Sequence, residues 1–446
     1  MDITIQPAIL NDLRRQLSGD LLTDNATRLQ YATDASAYRE MPLAVARPKN
    51  KEDIKKLILF ANEHKIPLIP RGAGTSLAGQ VVGNGLVVDI SRYMNQVLEI
   101  NAHEKWVRVE PGVVLDELNK MLAPTGLFFG PETSTSNRCV IAGMVGNNSC
   151  GAHSLLYGST RDHTLELEVL LSDGSEAVFK PVSDAEFLHL QQGDLLENKI
   201  YRNIAKILSS PANQANIRRE FPDPNIKRRN TGYALDLLLD TEPFAKNENP
   251  FNFCKLLAGS EGTLAFTTSI KLNLVPLPPK VKGLICVHFA SLRDAFHANL
   301  IALKHYPGAV ELMDDVILQQ TKDNIEQRKN RFFLQGDPAA ILIIEFARDT
   351  QEEILEIAKN LEFDMRQAGF GYHFLTVFGA DIPKVWDLRK AGLGLMSNLP
   401  GDAKPVSLVE DTAVNPEVLP DYLAEFQQMM EKHGLSAVYH AHIATG

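Results

Sequence analysis

The sequence predicts an α+β protein of two or three domains, and three observations carry that prediction. Its 446 residues exceed one typical domain at roughly 150 residues each, and 44% apolar residues can fill a sizeable core. Strand-like and helix-like patterns alternate from about residue 40, with glycine-rich loops beside the strands. The prolines at 276, 278 and 279 then mark a boundary, beyond which helices and strands alternate again. The expected division is a helical N-terminal segment over 1–39, a first domain over 40–276 and a second over 277–446.

The elements follow in order. Ile9, Leu10, Leu13 and Leu17 give the first forty residues helical spacing. Asn50 caps an expected helix from Lys51 to about His64, with Ile54, Leu57, Ile58 and Ala61 on one face. Ile66–Ile69 and Leu86–Ile90 read as strands flanking a glycine-rich loop. Val97–Ile100 and Trp106–Val109 read as a hairpin, Leu115–Leu122 as a helix, and Thr164–Leu171 with Glu176–Phe179 as a second hairpin. Pro211–Pro250 is polar and rich in Pro, Asn and Arg, and reads as a surface excursion. In the second domain the pattern gives helices at Ser291–Lys304, Gln351–Ala368 and Pro416–His433. Strands are expected at Ala339–Phe346, Tyr372–Val377 and Ala437–His440.

Composition excludes several classes. A formal charge of -10 is wrong for a nucleic-acid partner, which calls for a basic surface. No apolar run approaches the ~20 residues of a membrane helix, and Met1–Asp20 lacks a basic segment followed by an apolar one. Cys139, Cys150, Cys254 and Cys286 form no CxxC pair, so neither a zinc ribbon nor an iron–sulfur motif is encoded. They read as reduced thiols of a reducing, cytoplasmic compartment.

The densest cluster is Pro70-Arg71-Gly72-Ala73-Gly74-Thr75-Ser76-Leu77-Ala78-Gly79-Gln80. So little side chain lets several backbone N–H groups converge on an anion. Gly74 and Gly79 have the G-x4-G spacing of a phosphate loop, but Gln80 stands where its Lys belongs. Gly72 and Gly74 begin a dinucleotide fingerprint, but Leu77 breaks it and a strand, not a helix, follows. A pyrophosphate held by loops between strands remains, beside the plainer reading of a turn. Three further small-residue clusters are Ile141-Ala142-Gly143-Met144-Val145-Gly146-Asn147-Asn148-Ser149-Cys150-Gly151, Tyr157–Asp162 and Gly259–Leu264. Each alone is also compatible with tight packing.

In this order the four clusters resemble the FAD-linked oxidases and dehydrogenases whose flavin domain is shared with vanillyl-alcohol oxidase and p-cresol methylhydroxylase. More narrowly they are similar to the D-lactate, glycolate and D-2-hydroxyglutarate dehydrogenases, from about Ala44 to the end. The resemblance implies a two-subdomain p-cresol-methylhydroxylase-type FAD-binding domain followed by an α+β cap carrying the substrate site. It implies that Pro70, Arg71, Gly72, Ala73, Gly74, Thr75, Ser76, Gly79 and Gln80 hold the FAD pyrophosphate. Pro131, Thr133, Ile141, Ala142, Gly143, Asn147 and Gly151 would line the flavin, and Glu261 and Gly262 would also touch the cofactor. Arg161-Asp162 matches a Thr-Arg-Asp element whose Asp is structural. Ala142 stands where many members have Gly. The first loop holds Thr75 and Ser76 and no His, which argues against a covalent flavin bond there. His153 reads as an ordinary surface or core histidine.

On the substrate side, Trp386-Asp387-Leu388-Arg389 resembles the family's Trp-x-x-Arg element, and Lys404 follows fifteen residues later. Arg389 alone could be a surface ion pair with Asp387. With Lys404 and the motif it implies an anchor for a substrate carboxylate, since a guanidinium makes two parallel charge-assisted hydrogen bonds. Leu393 replaces an intervening family Thr. His440 and His442, at i and i+2 on a strand, share a face and could be a metal pair or two ordinary histidines. By resemblance His442 is a ligand of a divalent metal, zinc or manganese; the proton acceptor is expected to be either a His beyond Gly446 or His440. The expectation is also of a piece of a longer protein, its motif continuing past Gly446, that binds without turnover.

Together these readings imply FAD-dependent oxidation of a small D-2-hydroxy acid to the 2-oxo acid. A separate electron acceptor is implied: a quinone, an electron-transfer flavoprotein or an iron–sulfur module. The alternatives are an alcohol or carbohydrate oxidase of the same fold and a non-catalytic FAD-binding piece. A cytoplasmic location, peripheral to a membrane in the parent protein, completes the expectation.

Overall fold

The computed structural model describes residues 5–229, 232–396, 399, 401–402, 404–406, 409 and 412–446. Ala403 and the side chain of Leu393 lie outside the described residues. The chain divides into two compact units. The first comprises Met1–Cys150, Ser159–Pro222 and Asn230–Leu277; the second comprises Gly151–Gly158, Asp223–Arg229 and Pro278–Gly446.

The first unit holds two main sheets. One contains Asp20–Leu22 (β1), Ala44–Arg47 (β2), Leu68–Arg71 (β3) and Leu86–Asp89 (β4), in the order β1-β2-β4-β3. β2, β4 and β3 run parallel and β1 antiparallel at the edge. The parallel strands are joined through the helix Lys51–His64, whose N-terminus Asn50 caps by accepting a hydrogen bond from the Asp53 N–H at 3.0 Å. Strand β4 is buried along its whole length and Ile54 and Leu57 are fully buried beside it, so this sheet encloses its own apolar core.

The second sheet is antiparallel: Val97–Asn101 (β5) and Trp106–Val109 (β6) form its first hairpin. A short strand, Leu127–Phe128 (β7), stands apart from it. Thr164–Leu170 (β8) and Glu176–Phe179 (β9) form its second hairpin, and Phe266–Asn273 (β10) pairs with both β6 and β8. Val275–Pro276 (β11) pairs with β7.

Two expectations are corrected here. The first forty residues are not all helical: helices Pro7–Gln16 and Asn25–Gln30 flank β1, which is too short to show an alternating pattern in sequence. Pro211–Pro250 is not simply loop. It contains helices Pro211–Glu220 and Leu235–Leu239, the first capped by Ser210 with proline in its first turn, a start signal masked by polar composition.

In the second unit a five-stranded antiparallel sheet combines Val281–Phe289 (β12), Ala309–Asp314 (β13), Ala340–Arg348 (β14), His373–Phe378 (β15) and His440–Ala441 (β16) in the order β15-β12-β14-β13-β16. Helices Leu292–Leu303 and Gln351–Gln367 supply apolar residues to one face, where Ile285, Val287, Leu312, Leu342 and Ile344 are buried. The helices Asp315–Asp323 and Ile382–Met396 pack with the other, where Leu284, Cys286, Met313, Ile341 and Ile343 point. No described helix is long and apolar enough to cross a membrane.

Candidate functional site

The cofactor loops of the first unit meet through small residues. Gly72 lies against the loop before the helix Ile141–Asn147, since a Cβ there would come 2.5 Å from Val140 Cγ2. Gly262, at φ +76°, packs on Pro70, where a Cβ would stand 3.0 Å from Pro70 Cγ. Gln80 joins three of the four clusters: its Nε2 donates to Asn147 Oδ1 at 3.0 Å and to Glu261 Oε1 at 3.2 Å. The Glu261 N–H in turn donates to the Gly146 carbonyl at 2.9 Å, with Glu261 itself at φ 54°.

Arg161 fastens the same loops from beneath. It is 2% exposed; its N–H donates to Asn148 Oδ1, its Nε to the Ala258 carbonyl at 3.0 Å and its Nη2 to the Gly232 carbonyl at 2.8 Å. Asp162 caps its own helix with Ser159, which fits its structural reading.

Several named residues have prior commitments. The Arg71 guanidinium donates to the carbonyls of Tyr31 and Thr33 and lies over the Tyr31 ring; burial, opposed by Asp34, Tyr31 and Asp89, lowers its pKa. Its side chain therefore ties the glycine loop to the N-terminal segment, as does the Ala35 N–H donating to the Gly74 carbonyl. Ile141 is buried, and the N–H groups of Ile141 and Ala142 donate to Val113 and Pro111 carbonyls. Pro131 is buried, Thr133 Oγ1 donates to Cys139 Sγ at 3.3 Å, and Gly143 keeps an exposed backbone. Gly151 falls in the second unit, its carbonyl accepting from Ser154.

These loops fit a pyrophosphate. Among the described residues, no acceptor takes the backbone N–H groups from Ala73 to Leu77, although the loop around them is held on both sides. Gly74 and Gly79 adopt φ +66° and +80°, the left-handed conformation in which successive N–H groups turn inward on an anion.

The second unit assembles a different kind of cluster. The register pairs Leu312 with Ala441 and Met313 with His440, so Glu311 stands opposite His442 and all four polar or sulfur side chains, Glu311, Met313, His440 and His442, share one face. Glu311 Oε1 lies 2.7 Å from His442 Nδ1, and Glu311 Oε2 lies 2.7 Å from Arg389 Nη2. Glu311 is 1% exposed and Arg389 7%. Burial by itself would raise the Glu311 pKa; the charges of His442 and Arg389 and the His442 hydrogen bond outweigh it and hold the carboxyl below its usual range. Arg389 Nε and Nη2 are both buried with no hydrogen-bond partner among the described residues, so Nη2 meets Glu311 as an ion pair without hydrogen-bond geometry.

His440 keeps an exposed edge, yet the protein around it displaces enough water that desolvation, then the charge of Arg389, lower its pKa to about 3. The Arg389 pairing is thus with a buried glutamate and not with Asp387, which is exposed. Lys404 is exposed and donates to the Leu399 carbonyl; no hydrogen bond or ion pair among the described residues ties it to Arg389's cluster.

Sequence reasoning missed Glu311. Its only signal is an acid inside the apolar strand Ala-Val-Glu-Leu-Met, and its partners appear only once strand register is known. For a metal, Glu311 and His442 offer an oxygen and a nitrogen, but among the described residues no group of three His, Cys, Asp or Glu side chains is placed to hold an ion.

The FAD binding domain family matches residues 42–179, and the C-terminal domain of FAD linked oxidases matches 278–446. A D-2-hydroxyglutarate dehydrogenase of Pseudomonas putida is 34% identical over 99% of this chain. The chain spans 44% of that relative's length. Glycolate oxidase subunit GlcD of Bacillus subtilis is 25% identical over 98% of the chain and 80% of its own length. Substrate-bound p-cresol methylhydroxylase superposes with a TM-score of 0.59 at 15% identity, covering 87% of this chain and 71% of that one, a likeness of fold.

Proposed function

This chain belongs to the FAD-linked oxidase family, and from that premise we propose that it oxidises a small D-2-hydroxy acid to the 2-oxo acid. The observation that carries the reading is the buried Arg389 guanidinium, held by Glu311 on one edge with its Nε unclaimed, beside His440 and His442.

FAD, when bound non-covalently by residues of 70–80, 131–147 and 259–262, supplies the hydride acceptor. The chain's own residues must hold the acid and manage its hydroxyl proton. Arg389 suits the carboxylate: its unclaimed Nε, in the guanidinium plane, can donate a charge-assisted hydrogen bond. Glu311 keeps that guanidinium charged and oriented, and also fixes the His442 ring through Nδ1. His440 is neutral at physiological pH, so it can accept a hydrogen bond from the hydroxyl, although so weak a base carries little of the proton by itself. Lys404 is assigned to the acid as well, on the family pattern.

The relatives' names supply the substrate class: D-2-hydroxyglutarate, glycolate or D-lactate. Electrons then pass to a separate acceptor, a quinone, an electron-transfer flavoprotein or an iron–sulfur module. Buried thiols at Cys139, Cys254 and Cys286 are compatible with a reducing, cytoplasmic setting.

A substrate panel tests the reading. Flavin absorbance is followed anaerobically while D-lactate, glycolate, D-2-hydroxyglutarate, a simple alcohol and a sugar are added in turn, and oxygen uptake is recorded separately. Bleaching by the hydroxy acids with slow oxygen uptake is expected. Bleaching by the alcohol or sugar, or rapid oxygen consumption, would turn the reading towards an oxidase of the same fold.

A further inference from the structure

A second buried glutamate lies on the same sheet face as Glu311. The register pairs Ala309 with Glu345 and Glu311 with Ile343, so Glu345 and Glu311 sit on a diagonal between neighbouring strands β14 and β13. The Glu345 side chain is 4% exposed and three donors from three parts of the unit close on it. His153 Nε2 lies 2.7 Å and Lys282 Nζ 3.1 Å from Oε1, and Trp386 Nε1 donates to Oε2 at 3.2 Å.

Trp386 stands three residues before Arg389 on the helix Ile382–Met396, a spacing that puts both side chains on one face. Each takes one of the two diagonal glutamates: Trp386 takes Glu345 and Arg389 takes Glu311. A helix held at one point can still roll about that contact. Held at two points one turn apart, it has a fixed rotation and a fixed height on the sheet. A bare carboxylate this close would also repel an incoming acid; Lys282 supplies a balancing positive charge and His153 a hydrogen-bond contact.

We propose that Glu345 is a positioning residue for the substrate carboxylate: by holding Trp386 it sets the rotation of the helix that presents Arg389. The inference rests on the function proposed above, in which Arg389 receives the acid. It explains the spacing of the Trp-x-x-Arg element as the helical match to two glutamates on adjacent strands, and it gives His153 the task of pinning Glu345.

The test uses the FAD-loaded chain and variants Trp386→Phe, Glu345→Gln, Glu345→Leu and Arg389→Ala. Binding of 2-oxoglutarate, the non-reducing product of D-2-hydroxyglutarate oxidation, is read from the flavin spectrum. Reaction of Arg389 with phenylglyoxal is read in parallel by peptide mass spectrometry. Trp386→Phe should weaken 2-oxoglutarate about 10-fold, the loss of one hydrogen bond to a charged group, with a melting temperature within a few degrees of wild type. Glu345→Leu should weaken it further and make Arg389 several-fold more reactive. Glu345→Gln keeps an acceptor for Trp386 and should stay closer to wild type than Glu345→Leu. Trp386→Phe combined with Glu345→Leu should be no weaker than Glu345→Leu alone, because both break one contact. If Trp386→Phe and Glu345→Leu match wild type in both binding and Arg389 reactivity, the inference is overturned. If Arg389→Ala also binds 2-oxoglutarate normally, it is the proposed function that fails, and Arg389 reactivity alone decides the role of Glu345.

Discussion

The two units build their sites from different materials. In the first, the parts that would face an anion are backbone: N–H groups from Ala73 to Leu77 in a loop kept open by Gly72, Gly74 and Gly79. Arg71 works behind that loop, and Arg161 behind the clusters at 148 and 258–259, each donating to carbonyls and fastening one segment to another. In the second unit the chemistry sits in side chains, Arg389, Glu311, His442 and Glu345, set opposite one another by strand register and helix spacing. A backbone site tolerates exchange of most side chains but not a change of loop shape. A side-chain site tolerates little at its charged members, because each is the other's counter-charge in a place with little water.

That contrast predicts a graded set of effects. The largest belongs to Arg389→Ala, which leaves Glu311 buried without its guanidinium. Breaking such a pair costs about 3–5 kcal/mol, seen as a lower melting temperature and denaturant midpoint. Replacing both partners, Arg389→Met with Glu311→Leu, should recover most of that loss, since neither charge is then stranded. The KM for the acid should rise by at least an order of magnitude in Arg389→Ala, from the loss of about 1.5–3 kcal/mol in charged hydrogen bonding. A single substitution that leaves both stability and KM unchanged would return Arg389 to the role of an ordinary ion pair.

Acid comes next. Burial alone would raise the Glu345 pKa, but the His153 hydrogen bond and the charges of His153 and Lys282 hold it at about 2 against an ordinary 4.5. A carboxylate depressed in the folded state stabilises above its unfolded pKa, and that contribution is lost as the pH falls from 4.5 towards 2. The shift corresponds to about 3 kcal/mol. Urea midpoints between pH 6 and pH 2.5 should therefore fall more steeply for wild type than for Glu345→Gln; parallel curves would contradict the assignment.

Smaller effects are expected in the glycine loop. Gly79 sits at φ +80°, and a Cβ there would meet Tyr38 Cδ2 at 2.5 Å. Gly79→Ala should cost about 1–2 kcal/mol of loop strain, which equilibrium dialysis would show as roughly 10-fold weaker FAD binding. Acid-precipitated protein should release all of its yellow colour, as a non-covalent flavin does. The smallest effect is that of Gln80→Ala, which removes a side-chain link between Asn147 and Glu261 and should weaken FAD a few-fold, about 0.5–1.5 kcal/mol. A larger loss for Gln80→Ala than for Gly79→Ala would invert the comparison and put side chains, not backbone, in charge of the cofactor loop.

The same difference governs what could be read in the sequence. Backbone-built sites announce themselves locally, because glycine, threonine and serine must cluster where the chain bends around an anion. The loop at 70–80 was therefore visible as it stands, and Asn50 and the run to His64 gave their helix almost residue for residue. The side-chain site was half legible. Trp386 and Arg389 appear as a local pair three residues apart, but Glu311 and Glu345 are single acids inside apolar strands, and nothing nearby says what they face. The meaning of Glu311 depends on His442, 131 positions later, and that of Glu345 on His153, 192 positions earlier, which no local pattern encodes. The inward commitment of Arg71 was hidden for the same reason: its acceptors are carbonyls of Tyr31 and Thr33, forty and thirty-eight residues earlier.

In the proposed function, a cofactor loop made of backbone and an acid anchor made of Arg389 and its glutamates serve one reaction. It is tested most directly by anaerobic stopped-flow reduction of the FAD-loaded chain with D-2-hydroxyglutarate and with D-lactate, wild type beside Arg389→Ala at equal flavin content. The account predicts that at least one acid bleaches the wild-type flavin with a rate that saturates, and that Arg389→Ala needs at least ten times more acid to reach half of its own limit. A wild-type flavin that stays oxidised at millimolar concentrations of both acids would contradict the account. So would an Arg389→Ala variant that saturates at the same concentration as wild type.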